Sequence, residues 1–230
     1  MSLERQAGTG LPQKKILVVD DHPIVRRGLL LSINREADLR VCGEAENAQE
    51  ALDALNKLKP DLVLVDIGIP GKSGLELVKD IRAMHPDVAV LVLSMHDESL
   101  YAERALRAGA RGYIMKQERP EIVIKAIRQI LSGKAYVSEN MSARILEVFS
   151  GRRPAGSHVP LERITDREFE ILQLIGRGKN SHEIAKALHL SVRTVDTHRT
   201  NLKGKLKLKS ALQLTRYAVC WVEGRDAPTA

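Results

Sequence analysis

From Lys15 to about residue 131 the chain alternates short, mainly apolar runs with longer stretches in which apolar residues recur every three or four positions. The runs lie at 16–19, 39–45, 61–65, 88–93 and 112–115. Runs that stay apolar instead of alternating predict strands covered on both faces, as in a parallel sheet. The intervening stretches predict helices. Leu75, Val78 and Ile81 share one helical face, as do Val123, Ile127 and Ile130, and Pro23 and Pro120 stand where first helical turns begin. Strand and helix in alternation predict a doubly wound α/β domain on a five-stranded parallel sheet, spanning residues 14–131 behind a loose tail of residues 1–13.

After residue 160 only helical periodicity remains. Thr165-x-x-Glu168, Asn180-x-x-Glu183 and Ser210-x-x-Gln213 have capping-box spacing, and Ser191 supplies a fourth cap. Four helices are predicted at 166–177, 181–188, 192–207 and 211–222, the middle two separated only by His189, Leu190 and Ser191, as in a helix-turn-helix. On the third, Val192, Val195, Leu202 and Leu206 fall on one side, with Arg193, Asp196, Thr197, Thr200, Lys203 and Lys207 on the other. The fold class is therefore α/β plus all-α, the second domain occupying 161–222 before a tail of residues 223–230. Residues 132–160 predict a linker holding one short helix at 141–149 and then the Gly-, Pro- and Ser-containing GRRPAGSHVP, so that the domains move independently. Arg152 and Arg153 fit a solvated linker pair.

The composition, 43% hydrophobic and 28% charged in 230 residues, is that of globular protein. Apolar runs such as 88–93 are far below the roughly 20 residues of a membrane span. The charged opening MSLERQAGTG lacks the apolar stretch of a signal peptide, which predicts a cytoplasmic protein. Cys42 and Cys220 are too few for a disulfide framework. Seven aromatic residues argue against modules that stack bases on rings. Residues 1–130 hold 19 Lys/Arg and 19 Asp/Glu, so the net +7 arises wholly in the last hundred residues. There Arg193, Arg199, Lys203, Lys205, Lys207 and Lys209 are opposed only by Asp196. Such a stretch suits a polyanion or a solvated helix face. The small hydroxyls set among long cations on one face favour base edges and phosphates in a DNA major groove.

What ends each strand carries the chemistry. The first run stops at Asp20 and Asp21, the third at Asp66, the fourth at Ser94 and the fifth at Lys116. In a parallel sheet these ends share one edge, where open α/β folds place ligands. One polar strand end is commonly a turn or cap; four together predict a site. Crowded carboxylates repel one another unless a proton or cation intervenes, and hard oxygen ligands suit Mg²⁺. A carboxylate beside such a cation is a nucleophile toward a phosphoryl group, with Lys116 neutralising charge on its oxygens.

Through ILVVDD at 16–21, DIGIPGKSGLE at 66–76, LSMHDE at 93–98 and GARGYIMK at 109–116, residues 14–131 resemble the receiver domain of bacterial two-component response regulators. The resemblance implies a flavodoxin-like sheet of order 2-1-3-4-5. It implies that Asp66 accepts a phosphoryl group from the phosphohistidine of a sensor histidine kinase, and that Asp20, Asp21, Asp66 and the Gly68 carbonyl hold Mg²⁺. Ser94 and Lys116 would meet phosphoryl oxygens and Tyr113 would change rotamer on activation, the alternative for Tyr113 being an ordinary half-buried strand position. Beyond its own phosphoryl transfer and slow autodephosphorylation no enzyme activity is implied. Phosphatases of the haloacid dehalogenase type need a second Asp two residues after the nucleophile, where this chain has Gly68. The Gly8-Thr9-Gly10 stretch precedes its strand and has Gln13 in place of a third glycine, so it is no dinucleotide fingerprint.

Residues 161–222 resemble the LuxR-type DNA-binding domain through ITDREFEILQLIGRGKNSHEIAKALHLSVRTVDTHRTNLKGKL at 164–206, and the domain order is that of the NarL/FixJ group. The resemblance places Arg193, Thr194, Asp196, Thr197, Thr200 and Lys203 on DNA, with His198 and Arg199 supporting phosphate contacts or packing. The last helix, with Leu212, Thr215, Arg216 and Val219, would pair two protomers over paired half-sites. Two positions depart from the family pattern. Asp196 stands where many members have Lys, losing a phosphate or guanine contact and opening the alternative of accepting from a cytosine amino group. Gly204 costs a helix interior about 1 kcal/mol relative to Ala and implies either close approach or a frayed end. The expectation is a cytoplasmic DNA-binding regulator with no membrane partner, switched by Mg²⁺-dependent phosphorylation of Asp66 and dimerising on activation. The alternative is a receiver serving only as a phosphorylation-independent interaction module.

Overall fold

The computed structural model describes residues 13–95, 98–143 and 164–223. The expected N-terminal tail apart from Gln13, the end of the helix expected at 141–149, the GRRPAGSHVP stretch with Arg152 and Arg153, and residues 224–230 lie outside them.

The first domain runs β1 (Lys14–Val19), α1 (Pro23–Ile33), β2 (Leu39–Ala45), α2 (Ala48–Leu58), β3 (Leu62–Val65), α3 (Gly74–Met84), β4 (Ala89–Ser94), α4 (Glu98–Ala108), β5 (Gly112–Met115) and α5 (Pro120–Leu131). All pairings are parallel and the sheet order is β2-β1-β3-β4-β5. Side-chain alternation explains why the strands had to be apolar throughout. Ile16, Val18, Leu62, Leu64 and Leu91 pack in one core with Ile33 of α1 and Val123, Ile127 and Ile130 of α5. Leu17, Val19, Val63, Val65 and Val92 pack in another with Leu55 of α2, Val78 and Ile81 of α3 and Ala105 of α4. Pro23 and Pro120 open α1 and α5, where their missing N–H costs nothing.

One pairing was not anticipated. Tyr136, inside the expected linker, bridges Gly112 in parallel, accepting from Tyr113 N at 3.0 Å and donating to Arg111 O at 3.0 Å. A Cβ at Gly112 would lie 2.6 Å from the Tyr136 carbonyl oxygen, so glycine is what lets this backbone close on the sheet edge.

The second domain contains α6 (Asp166–Gly176), α7 (Ser181–Ala187), α8 (Val192–Lys205) and α9 (Ala211–Val222). Capping boxes close at Thr165 and Asn180 as expected. At Ser210 the hydroxyl accepts from Gln213 N, but the glutamine amide reaches back to Lys209 N instead of completing the box. α8 stops two residues short of expectation because Lys207 turns into the left-handed region, φ 57°. Nothing lies within 4 Å of a Cβ built at Gly204, so no protein atom approaches it; the residue sits one before the helix end, against open space.

The linker composition implied independent domains, yet the two dock. α6 wedges between the receiver and the rest of the second domain, burying Asp166, Arg167, Glu168, Phe169, Glu170 and Gln173. The Tyr101 and Phe169 rings meet edge to face at 5.1 Å, Arg104 lies 4.1 Å over Phe169, and Tyr101 Oη donates to Gln173 Oε1 at 3.0 Å. Asp166 is held between Lys79 at 2.6 Å and Arg104 at 2.9 Å.

Candidate functional site

Main-chain hydrogen bonds at the carboxyl edge of the sheet fix the acids before any side chain acts. Asp20 N donates to Ala45 O at the end of β2, and Asp66 N donates to Val19 O at the end of β1. A buried guanidinium completes the anchoring: Arg26 NH1 donates to Asp20 O at 2.6 Å while the same side chain pairs with Glu44 and Glu46.

The structure brings together Asp20, Asp21, Asp66 and Lys116. Lys116 Nζ lies 2.6 Å from Asp20 Oδ2 and 2.8 Å from Asp66 Oδ2, with all three residues' side chains nearly buried. Burial pushes the Asp66 carboxyl above its ordinary value, against the opposing charge of Lys116. Burial alone would lower the Lys116 ammonium, but Asp66 and Asp20 outweigh it and hold the group above its ordinary value. Gly68 lies beside the acceptor, a Cβ there falling 3.5 Å from Asp66 Oδ2. Ser94 is fully buried at the end of the neighbouring strand. Tyr113, on β5, is also fully buried, more so than the half-buried position expected.

The donor set fits a hard divalent cation. Oxygen atoms of Asp20, Asp21 and Asp66 lie within 4.8 Å of one another, in a group that also includes a nitrogen of His22. Asp20 Oδ2 and Asp21 Oδ1 are buried and accept no well-aligned hydrogen bond among the described residues, although Lys116 Nζ and His22 Nδ1 stand 2.6 and 2.7 Å away. Such oxygens are of the kind that ligate a hard divalent cation. Sequence reasoning singled out neither His22 nor Arg26; adjacency to Asp21 was the only signal for the first.

The second cluster is the outer face of α8. Val195 and Leu202 are buried and Val192 and Leu206 half-buried, as the projection required. Arg193, Asp196, Thr197, Thr200 and Lys207 are exposed, whereas Thr194, His198, Arg199 and Lys203 are half-buried. Burial lowers the His198 imidazole below its ordinary value. The docked receiver covers α6 and leaves the outer face of α8 exposed. On α9, Leu212 is 78% exposed, Arg216 is exposed, and Thr215 and Val219 are half-buried. No helix among the described residues is long and apolar enough to cross a membrane.

Comparison with known proteins agrees with this geometry. Residues 16–128 match the response regulator receiver domain family, and residues 162–218 match the family described as bacterial regulatory proteins, luxR family. Oxygen regulatory protein NreC of Staphylococcus aureus is 36% identical over 209 residues, covering 89% of this chain and 96% of that protein. The structure of RcsB from Salmonella enterica serovar Typhimurium, bound to promoter rprA in the presence of phosphomimetic BeF₃⁻, is 26% identical with a TM-score of 0.60, covering 90% of this chain and 98% of that one. A LuxR-family two-component response regulator from an Aurantimonas species is 36% identical with a TM-score of 0.56, covering 60% of this chain and 99% of that one. With a receiver joined in this order to a LuxR-type helix-turn-helix, the chain belongs to the NarL/FixJ group of two-component response regulators.

Proposed function

We propose that the chain is a cytoplasmic transcription regulator switched by Mg²⁺-dependent phosphorylation of Asp66 by a sensor histidine kinase. The observation that carries this reading is the double contact of Lys116, which ties the buried acceptor Asp66 to the acid pair through one ammonium. In the transfer an Asp66 oxygen bonds to phosphorus, the P–N bond of the kinase phosphohistidine breaks, and the imidazole nitrogen leaves with that electron pair. Asp20, Asp21, Asp66 and the Gly68 carbonyl would hold Mg²⁺, which supplies positive charge to the phosphoryl oxygens. Lys116 pairs with another of those oxygens, the Ser94 hydroxyl reaches a third, and Tyr113 reports the change by altering its rotamer. Slow autodephosphorylation resets the switch.

The output is DNA. Arg193, Thr194, Asp196, Thr197, Thr200, Lys203 and Lys207 meet the duplex, and Leu212, Thr215, Arg216 and Val219 pair two activated protomers over paired half-sites. RcsB, a relative of similar architecture, has been solved as dimers bound to DNA, which supports this arrangement. The decisive test is labelling by acetyl phosphate with Mg²⁺, which Asp66→Asn should abolish; undiminished labelling would place the acceptor elsewhere.

A further inference from the structure

The outer face of α8 carries one carboxylate, Asp196, among its cations and hydroxyls, and the structure holds that acceptor in place. Arg193, Asp196, Thr197, Thr200 and Asn201 share one open face of α8. Ser181, the first residue of α7, donates its hydroxyl to Asp196 Oδ1 at 2.8 Å and accepts from Arg199 NH1 at 3.4 Å. The carboxylate is thus tethered to a neighbouring helix instead of sweeping freely through solvent.

The two threonines beside it are equally committed. Thr197 Oγ1 donates to Arg193 O at 2.9 Å, and Thr200 Oγ1 donates to Asp196 O at 3.0 Å. A hydroxyl has one hydrogen, and both are spent on the helix's own carbonyls. Oxygen lone pairs and methyl groups are what these side chains keep for that face. Asp196 and the two threonines therefore offer acceptors and methyls, while Arg193 and Asn201 on the same face bring donors.

In the major groove guanine and thymine present carbonyl acceptors, which a carboxylate repels. Adenine presents an amino donor with the N7 acceptor beside it, while cytosine presents its N4 amino group without an acceptor of its own. A carboxylate facing guanine or thymine is desolvated without a partner, and one facing adenine also meets the N7 acceptor, so exclusion adds to attraction.

We infer that Asp196, held by Ser181, selects a cytosine in each DNA half-site, with the methyls of Thr197 and Thr200 favouring thymine at adjacent positions. The inference rests on the DNA-binding reading above and adds the base class that the helix reads.

The test is selection from randomised duplexes by the full-length protein with beryllofluoride and Mg²⁺, followed by titration of the selected duplex at several salt concentrations. The wild type should enrich cytosine in one column of the half-site, and replacing that base should weaken binding roughly tenfold or more. Asp196→Lys should move the column to guanine, Asp196→Asn should move it toward adenine, and Ser181→Ala should blur it while other columns persist. A selected site whose column is the same for wild type and Asp196→Lys would overturn the inference and leave DNA binding intact. A sharp, unchanged column in Ser181→Ala would overturn the tether. Failure to enrich any sequence, with affinity insensitive to salt, would overturn the DNA-binding reading itself.

Discussion

Ser73 donates its hydroxyl to Glu170 across 2.6 Å, joining the loop that follows Asp66 to the first helix of the DNA-binding domain. The same junction is stitched by Arg167, which donates to Glu170 Oε2 at 2.6 Å, to Gly71 O at 3.0 Å and to Leu188 O at 2.8 Å. Every acceptor around this buried guanidinium belongs to a different stretch of chain. The loop after Asp66 is therefore joined by hydrogen bonds to the helix-turn-helix domain, and a buried polar network of this kind is sensitive to the loss of one member.

Ser73→Ala removes one donor from the buried Glu170 carboxylate and should weaken docking by about 1–3 kcal/mol. Small-angle scattering should then report a more extended particle and proteolysis should find the linker more readily; identical profiles for variant and wild type would count against the junction. Docking should also depend on pH. Burial raises the Glu170 carboxyl above its ordinary 4.5, and separation of the domains returns it toward that value. The docked form therefore binds a proton more readily. Docking should strengthen as pH falls through the raised value toward 4.5 and weaken as pH rises through it, and Glu170→Gln should flatten that dependence.

Asp66 gives a second pH signature with its own sign. The nucleophile is the ionised carboxylate, and burial raises its proton affinity above that of an ordinary Asp at 3.8. In the metal-free protein the carboxylate population of Asp66, read by NMR, should therefore fall, as pH drops, at a higher pH than an unperturbed aspartate would show. Lys116→Met, which removes the main opposing charge, should shift that fall to still higher pH. A profile that does not move in the variant would detach Lys116 from the acceptor.

How far these features were legible follows from their range in the chain. The strand ends at Asp20, Asp66, Ser94 and Lys116 are local signals, and a parallel sheet gathers them without help from any particular long-range contact. The caps at Thr165, Asn180 and Ser191 are read within four residues. The box at Ser73 and Glu76 has the same spacing but was hidden inside a segment read only for its phosphoacceptor chemistry. Docking was not legible. Asp166, Glu170 and Gln173 are polar positions that an amphipathic helix would turn to water, and the receiver's Lys79, Ser73, Arg104 and Tyr101, with Arg167 of the same helix, make their burial tolerable. Tyr136 was missed for another reason: a one-residue bridge leaves no periodicity to read.

His198 sits within the reading helix, yet it is not part of the cationic surface. Burial lowers its imidazole below 6.5, and its Nδ1 is buried with no hydrogen-bond partner among the described residues. His198→Gln should therefore leave the slope of log K against log salt unchanged at pH 7.5, whereas Lys203→Ala should reduce it by about 1. A matching drop in both variants would show a charged, phosphate-bound imidazole. The stability sign follows from the same shift. The folded protein resists protonation of His198, so this residue's contribution is intact above 6.5 and declines as pH falls from 6.5 toward the lowered value.

Gly74 tests how tightly the acceptor loop is built. A Cβ there would lie 2.0 Å from the Asp66 carbonyl oxygen and 2.7 Å from Ile67 Cα, both backbone atoms that cannot swing aside. Gly74 N donates to Ile67 O at 2.9 Å, so the first residue of α3 is bonded to the strand end it crowds. Gly74→Ala must push α3 off β3 or displace Asp66, at a cost of about 3 kcal/mol or more. Denaturant titration should show that loss, and the variant that remains folded at low temperature should label slowly with acetyl phosphate even at saturating Mg²⁺. Gly133→Ala is the control: no atom lies within 4 Å of its Cβ, so its cost is limited to the strain of φ 87° and the acceptor loop is untouched. Equal slowing of labelling in both variants would mean that general destabilisation, not the geometry around Asp66, sets the rate.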